Sequence, residues 1–175
     1  MSAPGLACVD VDYRVRGAAA GCVLFTAWTD ATAAREVVAT VPAAEVAPYV
    51  SGQLYRRELP LLVRVLAQVG HRLDAVVVDG NVWLDGAGTP GLGAHLWDAL
   101  GRQPFVIGVA KTRYVGAPTV EVHRGASARP LYVTAAGVDL AAAAALVASM
   151  HGAFRLPTLC SRADRLCREA PLPPG

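Results

Sequence analysis

An uninterrupted apolar run that ends on a carboxylate, Ala75-Val76-Val77-Val78-Asp79, limits what this 175-residue chain can become. Successive side chains of a strand point to opposite faces, so an all-apolar strand needs cover on both sides. The stretch Leu73 to Asp79 therefore reads as a central strand in a sheet with helices above and below. In open sheets of that kind, sites gather beyond the carboxyl ends of the strands, where Asp79 falls. Asp79-Gly80 also fits an ordinary turn.

The flanking pattern supplies the rest of such a sheet. Leu6 to Val15, Ala20 to Trp28 and Glu36 to Val41 read as three short strands, with a turn at Arg16-Gly17, which predicts an antiparallel meander. Pro42 and Pro48 punctuate the following loop. Gln53 to Val69 is expected to be helical, because Leu54, Leu61, Leu62, Val65 and Val69 recur on one face and Gly70 offers a stop. After Asp79 comes a glycine-rich loop, Gly80 to Pro90. Beyond it lie a helix at Leu92 to Leu100, a strand at Pro104 to Val109, and strands at Val120 to His123 and Pro130 to Thr134. Helices at Asp139 to His151 and Thr158 to Glu169 complete the pattern. The order predicts an α/β mixed sheet, an antiparallel three-strand meander plus parallel strands, flanked by helices. That order is shared by the RNase H-like architecture. The length suits one domain, 1–175, with a proline-rich frayed tail at 170–175.

Composition excludes several classes. Apolar residues make up 54% and charged residues 17%, which suits a globular chain rather than a disordered one. A net charge of +2 is too small for a diffuse basic field to carry nucleic-acid binding. The basic residues are almost all Arg, and Lys111 is the only Lys. None of the four cysteines forms a C-x-x-C pair, so no zinc site is expected; Cys8, Cys22, Cys160 and Cys167 read as buried or half-buried free thiols. No signal peptide or bilayer-spanning stretch is read, so a cytoplasmic location is the default, as is a monomer.

Hydrolysis of a phosphodiester on a hard cation requires several carboxylates converging from different elements. The informative acids are those placed where the apolar pattern predicts none, because burying an unpaired acid is costly. Asp10 interrupts the first strand in Cys8-Val9-Asp10-Val11-Asp12-Tyr13, and strand alternation puts Asp12 on its side. Asp79 ends the central strand. Glu58 and Asp164 lie in helices, where a solvated surface position is the plainer alternative.

Five segments in order resemble endonuclease V: Val9-Asp10-Val11-Asp12-Tyr13; Pro48-Tyr49-Val50-Ser51-Gly52-Gln53-Leu54 with Arg57-Glu58; Val77-Val78-Asp79-Gly80; Gly108-Val109-Ala110-Lys111-Thr112-Arg113; and Leu156-Pro157 leading to Ser161-Arg162-Ala163-Asp164. The resemblance implies roles. Asp10, Glu58, Asp79 and Asp164 match the metal-holding positions, with Mg²⁺ expected and Mn²⁺ able to substitute. Lys111 matches a lysine beside the scissile phosphate. Pro48, Tyr49 and Val50 match a wedge that enters the duplex where a base is lifted out. Gly52, Leu54, Gly80, Gly91 and Leu92 match the pocket for that base. The implied partner is inosine-containing DNA or RNA, cut 3′ of the deaminated nucleotide. The implied class is a metal-dependent repair endonuclease. Alternatives are a nuclease of other structural specificity, for flaps, junctions or mismatches, and a non-catalytic nucleic-acid binding protein.

The sequence also departs from the family. Its H-P-R after the V-D-G strand is missing; Asp85 stands near the lost His, either as a further carboxylate or within a remodelled loop. Trp83 offers a stacking surface or a loop anchor, and His95 is expected to begin or cap a helix. The residues before Leu6 carry no counterpart of the family's leading helical stretch.

Overall fold

The computed structural model describes residues 2–174. In chain order the elements are β1 (Leu6–Arg14), β2 (Gly17–Phe25), β3 (Arg35–Pro42), α1 (Tyr55–Ala67), β4 (Ala75–Asp79), α2 (Leu92–Ala99), β5 (Phe105–Ala110), β6 (Val120–Val122), β7 (Leu131–Ala136), α3 (Leu140–Ser149) and α4 (Thr158–Glu169). The strands form one seven-stranded sheet in the order β3-β2-β1-β4-β5-β7-β6. The β1–β2–β3 meander is antiparallel, β1, β4 and β5 run parallel, β7 pairs antiparallel with β5, and β6 pairs antiparallel with β7. This is the mixed α/β sheet that the run Ala75–Asp79 demands, with β4 at its centre.

Alternation divides the core into two layers. Ala7, Val9, Val76, Val78 and Val106 face α1 and α2, where Leu61, Leu62, Val65 and Leu96 pack on them. Leu6, Cys8, Val77 and Ile107 face α3 and α4, meeting Val147, Leu159, Ala163 and Leu166. Each fully buried Val or Leu contributes about 1.5–3 kcal/mol, so two such layers outweigh the cost of holding a few acids at the sheet's end.

α4 approaches the sheet unusually closely. Every residue of β2 is buried, and a Cβ on Gly21 would lie 3.0 Å from the Ala163 carbonyl oxygen and 3.1 Å from the Cys167 nitrogen. The small stretch Ala18-Ala19-Ala20-Gly21 thus sets the depth at which α4, and Asp164 next to Ala163, sits.

Several boundaries differ from those expected. β2 begins at Gly17 and stops at Phe25 rather than running from Ala20 to Trp28, because the Asp30 carboxylate accepts the Thr26 and Ala27 N–H groups, both at 2.9 Å, and folds that segment into a turn. α1 starts at Tyr55, after a turn at 51–54, and α3 starts at Leu140 with the Asp139 side chain capping the Ala142 N–H. His95 lies inside α2 rather than at its start; Gly91 is the cap, and the His95 ring stacks on Tyr55 with centroids 3.7 Å apart. At the tail, Ala170 is buried and Leu172 packs near Ala19 and Cys167, so packing continues into the segment expected to fray. Gly175 lies outside the described residues. No helix among them is long and apolar enough to cross a membrane.

Candidate active site

The parallel strands deliver two carboxylates to one edge. Val9 of β1 pairs with Val78 of β4, so Asp10 and Asp79, each one residue further on, come side by side on the face that carries α4. Asp79 in turn pairs with Val109 of β5, two residues before Lys111. Asp10, Asp79, Lys111 and Asp164 together line a cavity of about 20 Å³, room for one water-sized group. Glu58 reaches the same edge from α1, on the opposite face of the sheet. It lines an adjoining cleft that shares Asp79.

Electrostatics shows how tightly these acids are crowded. The Asp10 carboxyl is pushed up to about 7, by burial first and then by Asp79 and Asp164, against its hydrogen bond from the Val11 N–H and the charge of Lys111. Glu58 rises to about 8, through burial and then Asp10 and Asp79. Asp79 is also raised, chiefly by burial and by Asp164, with Lys111 opposing. Asp79 is itself exposed, lying between the small cavity and the cleft beside it. Among the described residues, no ion pair neutralises Asp10, Glu58 or Asp79, whereas Asp164 pairs with Arg168 at 2.9 Å. Asp12 does not join them: its carboxylate pairs with the Arg14 Nε at 3.1 Å.

An all-oxygen set of carboxylates, three of them without an ion pair, suits a hard divalent cation, whose charge would offset the burial and mutual repulsion that raise Asp10, Glu58 and Asp79. In their present rotamers, no three His, Cys, Asp or Glu side chains among the described residues stand close enough to one point to close around an ion. The four expected carboxylates therefore share one edge of the sheet, with Asp10, Asp79 and Asp164 on the small cavity and Glu58 on the adjoining cleft, rather than a finished coordination sphere.

Beside the acids lies the larger cleft, about 390 Å³, the size of a small-ligand site. Its walls include Gly52, Leu54, Gly80, Gly91 and Leu92, all five of the residues expected for the base pocket. Gly52 and Gly80 adopt φ of +75° and +134°, conformations other residues rarely reach. Gly108, from the Gly-Val-Ala-Lys segment, keeps the cleft floor in place: a Cβ there would lie 2.5 Å from the Gly80 oxygen and 2.6 Å from the Thr134 Oγ1. That hydroxyl accepts the Val82 N–H at 2.8 Å, fixing the start of the loop after Asp79. Sequence reasoning missed Asn81, Leu84, Pro90 and Tyr114, which also line the cleft. They lie in irregular segments, where no periodicity marks which way a side chain faces.

The variant loop has a structural role for each of its singular residues. The Asp85 carboxylate turns back on its own loop, taking the Thr89 hydroxyl and the Ala87 and Thr89 N–H groups, bonds that lower its pKa, the Thr89 hydroxyl foremost. It does not join the acid cluster. Trp83 donates its indole N–H to the Ala135 oxygen at 2.9 Å and so serves as the loop anchor. On the other rim, Pro48, Tyr49 and Val50 stand in an exposed loop, with Tyr49 66% exposed. Arg155 donates to the backbone oxygens of Lys111 and Pro130, tying the end of β5 to the segment that leads into α4.

The endonuclease V family profile matches residues 3–137. The chain is 34% identical over 155 residues to endonuclease V of Rhodospirillum centenum, a match spanning 75% of this chain and 63% of that protein. It is 30% identical over 182 residues to endonuclease V of Geotalea uraniireducens, spanning 92% of this chain and 75% of the relative. Its fold superimposes on Ciona intestinalis endonuclease V, solved with a 24mer DNA containing an inosine followed by a ribo-adenosine, with a TM-score of 0.76 at 18% identity, over 94% of this chain and 84% of that one. The match over most of its length places this chain in the endonuclease V family.

Proposed function

We propose that this chain is a divalent-metal-dependent endonuclease that hydrolyses the phosphodiester 3′ of an inosine in DNA or RNA. One observation carries the reading: the acid-lined cavity and the glycine-walled cleft adjoin through Asp79, so a base held in the cleft has its own backbone beside the carboxylates. Asp10, Glu58, Asp79 and Asp164 would hold Mg²⁺, or Mn²⁺ in its place, which supplies phosphate polarisation and a lowered pKa for the attacking water. Lys111, an exposed point charge at the end of β5, offsets charge on the scissile phosphate. The Pro48-Tyr49-Val50 loop fills the gap left by the extruded base; its exposed ring recovers stacking at low entropic cost. Gly52 and Gly80 let backbone approach the base plane closely. The DNA in the Ciona intestinalis complex contains inosine, which supports the substrate assigned here.

The test is cleavage of paired DNA and RNA strands that differ only by inosine or guanosine at one position, with Mg²⁺ and with chelator. Cutting on the 3′ side of inosine, lost on chelation, supports the proposal. Equal cutting of structured substrates lacking inosine would replace it with a nuclease of other specificity. Inosine binding without cutting under Mg²⁺ or Mn²⁺ would replace it with a binding protein.

A further inference from the structure

Cys8 and Cys160 face each other across the β1–α4 interface with their sulfurs 3.5 Å apart. Cys8 lies two residues before Asp10, on the same side of β1. Cys160 lies one helical turn before Asp164, on the same side of α4. The thiol pair and the carboxylate pair are thus successive layers of one interface, and both sulfurs line the small cavity that holds the acids. Cys8 is buried and Cys160 only half-buried, so the second is the one a small oxidant reaches. The other thiols are placed differently: Cys22 and Cys167 are buried, and the Cys167 thiol donates to the Asp164 carbonyl oxygen at 3.0 Å.

We infer that Cys8 and Cys160 form an oxidative modification site, in which hydrogen peroxide or a related hydroperoxide joins them in a disulfide and thereby displaces Asp164 from Asp10. The Cys160 sulfur attacks the peroxide; the O–O bond breaks, a sulfenic acid forms and one water leaves. The Cys8 sulfur then attacks the Cys160 sulfur; the S–S bond forms, the S–O bond breaks and a second water leaves. The two thiols give up two electrons and two protons, and the peroxide takes both. A disulfide needs sulfurs about 2.05 Å apart, so the pair must close by roughly 1.4 Å. β1 is held on both edges by β2 and β4, so the first turn of α4 is the part that moves. Beyond that turn α4 rests on Gly21 through Ala163, Leu166 and Cys167, so drawing its first turn inward tilts the helix about that contact and turns Asp164 relative to Asp10. A misplacement of about 1 Å at a reacting centre costs on the order of a hundredfold in rate.

The effect on rate rests on the proposed nuclease activity; formation of the bond does not. The intact protein is treated with hydrogen peroxide, its remaining thiols are alkylated, and linked peptides are mapped by mass spectrometry. Cleavage of inosine DNA is measured before and after, and again after dithiothreitol. The expected result is a Cys8–Cys160 link, a rate lowered by roughly ten- to a hundredfold, and recovery on reduction. Within Cys160→Ser and, separately, Cys8→Ser, the ratio of treated to untreated rate stays near one. Four thiols still alkylated, a different linked pair, or Cys160 carried to sulfinic acid without a link overturns the inference. A link with no change in rate overturns the displacement. A link in a protein that cuts nothing even when reduced upholds the modification site and removes the nuclease reading instead.

Discussion

Asp10 and Asp79 stand side by side because Val9 and Val78, the residues before them, pair across two parallel strands. Holding both as carboxylates costs stability, so their retention and their usefulness pull in opposite directions. In Asp79→Asn the repulsion on Asp10 and Glu58 falls while an expected ligand is lost. The metal-free variant should melt above the parent at pH 8, and its cleavage rate should fall by more than about a hundredfold. A variant that melts lower and cuts normally would show that Asp79 is merely a turn residue.

Stability of the metal-free protein should fall as pH rises from about 5 to 8. Asp10 and Glu58 titrate near 7 and 8 in the folded chain but near about 4 when unfolded. Over that window the folded form holds protons that the unfolded chain has released, so raising the pH favours unfolding. Melting followed by circular dichroism at pH 5 and pH 8 checks the sign, and adding Mg²⁺ at pH 8 should recover part of the loss.

Gly108→Ala tests whether the cleft floor depends on close backbone packing. The new methyl meets the Gly80 oxygen and the Thr134 hydroxyl, overpacking that costs about 1–3 kcal/mol. Denaturant unfolding should show that loss, and the KM for inosine DNA should rise as the loop after Asp79 is pushed outward.

Tyr49→Ala should leave the melting temperature nearly unchanged, since the side chain is largely exposed. With the stacking surface gone, kcat/KM on duplex inosine DNA should fall by about ten- to a hundredfold. A single-stranded substrate, which needs no base extruded from a duplex, should lose less.

Asp85→Ala should disorder the loop that Asp85 ties through Thr89 and Ala87. The Mg²⁺ concentration giving half-maximal cleavage should not change, because Asp85 faces its own loop. KM should rise. A shifted metal requirement would place Asp85 among the ligands after all.

The parts of this structure that were legible in the sequence are those with a period or a cost. Ala75–Asp79 showed its burial through uninterrupted β-branched residues, and Asp10 stood out as an acid in an apolar strand. Glu58 and Asp164 were different: surface helix positions and inward acids look alike in one dimension, and only the resemblance separated them. Trp28 suggested a longer second strand because a capping aspartate four residues beyond Thr26 leaves no hydrophobic signal. The closeness of Cys8 to Cys160 was also invisible, since it depends on the depth at which Gly21 seats α4. The turning of Asp85 onto Thr89 belongs to loop geometry, which no periodicity encodes.

The most direct measurement is anomalous diffraction from crystals soaked in Mn²⁺ at pH 8. The predicted result is a peak bounded by Asp10, Glu58, Asp79 and Asp164, with those side chains rotated inward to reach it, and no such peak in Asp79→Asn. A parent crystal with no manganese at that edge of the sheet, or with the ion held by other residues, would contradict the account.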